Sequence, residues 1–235
     1  MNKSVAFLLL CMVTVAGHTA ELYRIELMRA APGELLQVID GLRAAKPASA
    51  DQNGPFVLRH SQGDHWDLIR ITPIGNYTSY FAADAVTERN KQQQPLRLSL
   101  AKRLAWREDV FMFGPQRSVF AQRFAAAGFF HIEMFKSLAG RSDALLEQRA
   151  MENNYLKRIG RQQNLIFRRD LGAAWDVMTI GFYKDLKDFA GSVDISPEDE
   201  DQAAKAAGFK AANRIGSYLR TLIDWHHDTL AVRAY

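Results

Sequence analysis

The chain has 235 residues, with 30 Lys and Arg against 26 Asp and Glu, and is 48% hydrophobic and 24% charged. That composition is globular, enough for one large or two small domains, and excludes a disordered chain, collagen and a coiled coil. The net charge of +4 is spread thinly, without long runs of like charge or interleaved basic and aromatic residues, which argues against nucleic acid as a partner.

The chain opens with Lys3, the apolar stretch Val5 to Val15, and the small residues Ala16, Gly17 and Ala20, the layout of a secretory signal peptide. An apolar run of about eleven residues is too short for a permanent membrane span, which needs roughly 20. Residues 1–20 are therefore set apart from the fold, with cleavage expected near residues 16–20. Cys11, the single cysteine, falls within that segment, so the mature protein is expected to carry no disulfide and no thiolate ligand. The expected location is periplasmic or secreted, with no membrane association of the mature form.

Beyond that segment the sequence repeats itself. Arg59, Gly63, Trp66, Asp67 and Ile71 recur as Arg168, Gly172, Trp175, Asp176 and Ile180 at a constant offset of 109 residues. Upstream, Tyr23, Ile25, Glu26, Leu27 and Gly33 are answered by Phe130, Ile132, Glu133, Met134 and Gly140 at an offset of 107. Downstream, Leu100, Trp106 and Asp109 are answered by Leu219, Trp225 and Asp228 at an offset of 119. Offsets that drift only between blocks mark loop insertions in a duplicated domain, with halves over 21–118 and 127–235.

In the first half, Leu22 to Met28 alternates with the two-residue period of a strand. Pro32 and Gly33 open a helix whose Leu35, Val38, Ile39 and Leu42 share one face, ending before Pro47. Phe56 to His60 and Trp66 to Ile74 form a hairpin through the turn residues from Ser61 to Asp64. A polar helical region to about Ala105, interrupted at Pro95, and a short strand from Val110 to Phe113 complete the half. The second half repeats the order: strand Phe129 to Phe135, helix Ser142 to Ile159, strands Leu165 to Arg169 and Trp175 to Tyr183, a helix, and strand Thr229 to Val232. Ser196, Pro197 and the acidic run from Glu198 to Asp201 predict the start of that last helix, with Ala211, Ile215, Tyr218, Leu219 and Leu222 as its buried stripe.

Strand, helix, hairpin, helix, strand is the ferredoxin-like order, so the expected fold is α+β with two tandem ferredoxin-like domains. The opening LYRIELMRAAPGELLQVIDGLRA and the repeated element order resemble the dimeric α/β-barrel superfamily, and within it the NIPSNAP-like branch. The resemblance implies an intramolecular pseudo-dimer whose helix-free faces close a barrel around a central cavity. It also implies several functions: binding of a small, partly apolar or aromatic ligand in that cavity, a cofactor-independent monooxygenase-like or haem-handling enzyme, or a structural domain with a filled barrel. Haem is the one cofactor it suggests. A small molecule and a second copy of the chain in a homo-oligomer are the partners it allows.

With Tyr23, Ile25, Leu27, Phe130, Ile132 and Met134 packed under the helices, the alternate positions would face the cavity. These are Arg24, Glu26, Met28, Trp66, Leu68 and Arg70, then His131, Glu133, Phe135, Trp175, Val177 and Thr179. First and third strands are neighbours, so Glu26 is expected opposite Arg70 and Glu133 opposite Thr179. A carboxylate facing a hydroxyl in an apolar site is suited to exchange a proton near neutral pH. Glu133 and His131 are therefore the candidate catalytic pair, with Arg24, Glu26, Trp66, Arg70, Trp175 and Thr179 as candidate ligand contacts. A plainer expectation stands beside this one: the glutamates form salt bridges and the tryptophans fill the core. His60 and His65 flank a turn beside Asp64 but show no third ligand, so no metal site is assigned. His226 and His227 are expected at an exposed helix end, and Asp67 and Asp176 in strand-end hydrogen bonds.

Overall fold

A computed structural model describes residues 20–47 and 53–235, so the expected signal peptide up to residue 19 lies outside the described residues. The first half comprises β1 (Glu21–Ala30), α1 (Leu35–Ala44), β2 (Phe56–Gln62), β3 (Leu68–Gly75), the single turn α2 (Tyr77–Tyr80), α3 (Ala83–Arg103) and β4 (Leu104–Gly114). A helix absent from the sequence-based expectation, α4 (Arg117–Ala126), leads into the second half. There follow β5 (Phe129–Ser137), α5 (Ser142–Arg158), β6 (Leu165–Leu171), β7 (Val177–Tyr183), the short α6 (Leu186–Ala190), α7 (Pro197–Ala206), α8 (Ile215–Arg220) and β8 (Ile223–Arg233).

The strands run β4-β1-β3-β2 in one half and β8-β5-β7-β6 in the other, both in ferredoxin-like order. Antiparallel pairing of β2 with β8 and of β4 with β6 closes them into one barrel. The fold is α+β, two tandem ferredoxin-like units forming an intramolecular dimeric barrel.

Local departures from the predicted elements have simple causes. α3 continues unbroken through Pro95, which lies on an exposed face where the carbonyl left without a partner can turn to water. The helix expected through Leu222 is split, because Gly208 takes φ +101° and ends α7. Its start is as predicted: Ser196 Oγ accepts from Asp199 N–H at 3.1 Å. β8 begins at Ile223, so His226 and His227 lie on a strand rather than a helix end and face opposite sides of the sheet.

The barrel interior is packed. Tyr23, Ile25, Leu27, Phe130, Ile132 and Met134 form one buried cluster across both halves, together with Trp66 and Trp175. α4 inserts Phe120 between the halves, its ring 4.8 Å from Phe56, 5.6 Å from Phe182 and 6.0 Å from Phe167. Met28 and Leu68 pack instead with Val38, Ile39, Leu42, Leu96 and Leu100 of the first-half helices, and Phe135 and Val177 with Leu145 of α5.

This inverts the expected facing. Arg24, Glu26, Met28, Leu68 and Arg70, and His131, Glu133, Phe135, Val177 and Thr179, lie on the helix side of the sheet; only Trp66 and Trp175 of the expected set join the interior. An interior closed by eight strands offers no water, so it takes the bulky apolar side chains. The helices cover the outer face only in part, and charges collect at its uncovered end.

The repeated residues hold the two halves alike. A Cβ on Gly63 would sit 2.2 Å from Asp228 O, and one on Gly172 2.5 Å from Asp109 O, so each glycine lets a hairpin turn touch the other half's last strand. Asp67 accepts from Ala30 N–H at 2.8 Å and Asp176 from Ser137 N–H at 2.9 Å, the strand-end role expected of them. Burial alone would raise the Asp176 carboxyl, but Ser137, Arg169 and Lys136 outweigh it and hold it at about 2. A carboxyl depressed on folding contributes stability above its unfolded value, and that contribution fades as pH falls through its folded value. Asp176→Asn is accordingly expected to cost ~2 kcal/mol at pH 7. In urea titrations the gap from the parent protein should narrow as pH falls from about 4 toward 2; a gap independent of pH would contradict it.

Candidate functional site

On its helix side β1 changes from apolar to charged: Met28 lies beneath α1 and α3, Glu26 comes next at 2% exposure, and Arg24 follows. Strand register places Arg70 and Asp109 on either side of Glu26. Arg70 Nη1 lies 3.1 Å and Arg107 Nη2 2.7 Å from the Glu26 carboxylate. Arg24 donates to Asp109 Oδ1 through Nε at 2.9 Å and Nη2 at 2.7 Å, and Arg107 reaches the same oxygen at 3.0 Å. Burial works against the Arg24 charge, but Glu26 and Asp109 outweigh it and raise its pKa further. For Asp109 burial is likewise overcome, by Arg107 and Arg24, and its carboxyl is held low.

This layer floors a pocket of about 540 Å³ roofed by α2 and α3. Five arginines line it (Arg24, Arg70, Arg89, Arg97, Arg107) against two carboxylates, Glu26 and Asp109. Arg89 lies over the Tyr80 ring at 3.8 Å and donates to Tyr80 O at 2.8 Å, and Arg97 donates to Asn90 Oδ1 at 3.0 Å. Neither has a carboxylate partner among the described residues. Arg70 Nε is buried with no hydrogen-bond partner. Tyr80, Phe81 and Phe111 form an aromatic wall, with Phe81 54% exposed.

The second half keeps the carboxylates and changes their partners. Register makes Arg24, Arg70, Arg107 and Asp109 equivalent to His131, Thr179, His226 and Asp228, around Glu133 in place of Glu26. The expected cross-strand pairs both form: Arg70 with Glu26, and Thr179 Oγ1 donating to Glu133 Oε2 at 2.8 Å. Asp228 lies between His131 Nε2 at 3.3 Å and His226 Nε2 at 3.2 Å. Burial disfavours the His131 imidazolium, but Asp228, Glu133 and Glu152 outweigh it and raise its pKa.

A guanidinium comes from α5 instead. Arg149, 3% exposed, reaches Glu133 at 3.4 Å, pairs with Glu152, donates to Gln148 Oε1 at 2.7 Å and lies 4.7 Å over the Phe135 ring. Burial raises the Glu152 carboxyl, opposed by Arg149 and reinforced by Glu133. Sequence reasoning passed over these helix residues, yet Gln148, Arg149 and Glu152 follow Leu145 at i+3, i+4 and i+7 and so share its buried face. The structure therefore groups Arg24, Glu26 and Arg70 in one layer and His131, Glu133 and Thr179 in another. Trp66 and Trp175 stand apart from both, in the barrel core.

Neither layer fits haem. The first-half pocket has no His, Cys or Met among its lining residues, and its phenol, Tyr80, accepts from Arg24 at 3.4 Å. His131 Nε2 is already engaged by Asp228 at 3.3 Å, with Glu133 and Glu152 close by.

No protein-family model matches the chain, and no curated protein sequence matches it significantly. Solved structures share its fold. An anthrone oxidase-like protein aligns with TM-score 0.55 at 10% identity, over 91% of this chain and 92% of that one. A candidate monooxygenase from Fusobacterium nucleatum aligns with TM-score 0.57 at 6% identity, over 92% and 93%. Another, from Lactobacillus acidophilus, aligns with TM-score 0.51 at 8% identity, over 92% and 95%. At these identities the likeness establishes the dimeric α+β barrel and nothing finer. Among the described residues no helix is long and apolar enough to cross a membrane.

Proposed function

We propose that the chain is a binding protein for a small organic anion with an aromatic or apolar body, held in the first-half pocket between the sheet and α3. The observation that carries this is the surplus of guanidinium over carboxylate in a concave site, five against two. Opposite charges that pair within a fold need no surplus; an unbalanced, partly buried set invites an anion. Arg70 Nε offers a buried donor lacking an acceptor, and the exposed Phe81 with Tyr80 and Phe111 offers stacking area. The volume of about 540 Å³ falls among small-molecule sites, which run roughly 300–1,000 Å³. The sealed barrel interior, filled by Phe120 and its neighbours, is not where this ligand sits.

The NIPSNAP-like affinity rests on the opening strand and Pro-Gly helix start, and export on the charged, apolar and small-residue pattern of residues 1–20. Both belong to this proposal: an exported protein that captures its ligand outside the cytoplasm.

Calorimetric titration with an aromatic carboxylate such as 1-naphthoate is the test. One site is expected, with affinity falling at least tenfold in an Arg89→Ala, Arg97→Ala double variant. Neither arginine holds Glu26 or Asp109, so the charge layer should persist, with stability changing by no more than about 1 kcal/mol per site, the larger part from the Tyr80 contacts of Arg89. Unchanged affinity in the double variant, or equal binding of the uncharged 1-naphthamide, would reject the reading.

A further inference from the structure

The barrel seam carries a second cluster, in neither helix-side layer. Asp64 and His65 lie in the turn between β2 and β3 of the first half, and His227 lies on β8 of the second, which pairs with β2. His65 Nδ1 is 2.5 Å from Asp64 Oδ1, and His227 Nδ1 is 3.1 Å from Asp64 Oδ2. Ligand atoms from all three residues lie within 4.8 Å of one another. The Asp64 side chain is 3% exposed, whereas His65 and His227 are 55% and 45% exposed and open to solvent. Asp64 N–H donates to Thr229 Oγ1 at 3.4 Å, which fixes the turn against β8.

We infer that Asp64, His65 and His227 form a binding site for a divalent transition-metal ion that clasps the two halves of the barrel. Two imidazole nitrogens and one carboxylate oxygen suit Zn²⁺, Ni²⁺, Co²⁺ or Fe²⁺ rather than Mg²⁺ or Ca²⁺. Bonds of about 2.0–2.2 Å around one ion need donor atoms roughly 3–3.5 Å apart, which small rotations of two half-exposed rings supply. Three protein ligands leave coordination positions open for water or an exogenous group.

The duplicated half provides an internal control. The positions equivalent to Asp64, His65 and His227 are Ala173, Ala174 and Glu108, yet the same turn closes there, with Gly172 against Asp109 O as Gly63 is against Asp228 O. The fold thus makes this turn without an Asp and two His. They are present once, where a single site would need them. A second group of potential ligands, His131, Glu133 and Asp228, is a poorer seat, because Arg149 already supplies a positive charge at Glu133.

Zn²⁺ titration of the tag-free chain by calorimetry tests the assignment. One Zn²⁺ per chain is expected, with affinity lowered more than tenfold by His65→Gln and by His227→Gln and retained in His131→Gln. Because the ion joins the halves, saturating Zn²⁺ should raise the thermal midpoint of the parent protein and leave that of His227→Gln unmoved. Cu²⁺ substituted for Zn²⁺ should give an electron paramagnetic resonance spectrum with hyperfine coupling from two nitrogens, reduced to one in either histidine variant. Absence of Zn²⁺ binding, unchanged affinity in both seam variants, or loss confined to His131→Gln would overturn the inference.

Discussion

Phe120→Ala is expected to destabilise the protein by about 3–5 kcal/mol, the range for deleting a fully buried phenylalanine. The ring is 0% exposed and contacts aromatic side chains from β1, β2, β6 and β7, so it touches both halves at once. Truncation leaves a void between walls held rigid by closed strand pairing, which limits collapse around it. Urea unfolding followed by tryptophan fluorescence would report the loss, since Trp66 and Trp175 belong to the same cluster. A loss below 1 kcal/mol would mean that α4 is a mere connector and that the interior is sealed by other groups.

Arg149→Met is expected to cost a comparable 3–5 kcal/mol by a different route. Methionine restores much of the volume beside Phe135 but leaves the buried Glu133 and the half-buried Glu152 next to each other with their shared guanidinium removed. The cost comes from two desolvated carboxylates repelling each other, in a place where burial already pushes Glu152 upward. Adding Glu152→Leu to Arg149→Met should recover a substantial part of the loss, because it removes one of the stranded charges. If the double variant proves no better than Arg149→Met, packing rather than charge compensation sets the cost. The first-half layer has the opposite imbalance, arginine in excess, and there a ligand rather than a helix residue is proposed to supply the missing partner.

One carboxylate pair on two copies of a fold has thus acquired two environments. Around Glu26 and Asp109 stand three strand arginines; around Glu133 and Asp228 stand two histidines, a threonine and one helix arginine. The halves diverged in what satisfies the acids while keeping the acids themselves. The repeated Gly63 and Gly172, and Asp67 and Asp176, were retained for backbone reasons that apply equally to both copies.

The amino-acid sequence by itself determined the duplication, the order of elements, the ferredoxin-like class and the pairs Glu26 with Arg70 and Glu133 with Thr179. These follow from short-range rules: period-two alternation fixes which residues share a strand face, and one motif's topology fixes which strands are neighbours. Only the tertiary structure decided which face turned inward. Apolar residues lie on both faces of this sheet, so alternation could not tell the closed interior from the helix side, and all the candidate residues except Trp66 and Trp175 were placed on the wrong one. The tertiary fold also put Phe120 between the halves, Arg149 beside Glu133 and His227 beside Asp64. Each of these contacts depends on how helices cross strands or on which edge strands meet to close the barrel, and no local periodicity encodes that.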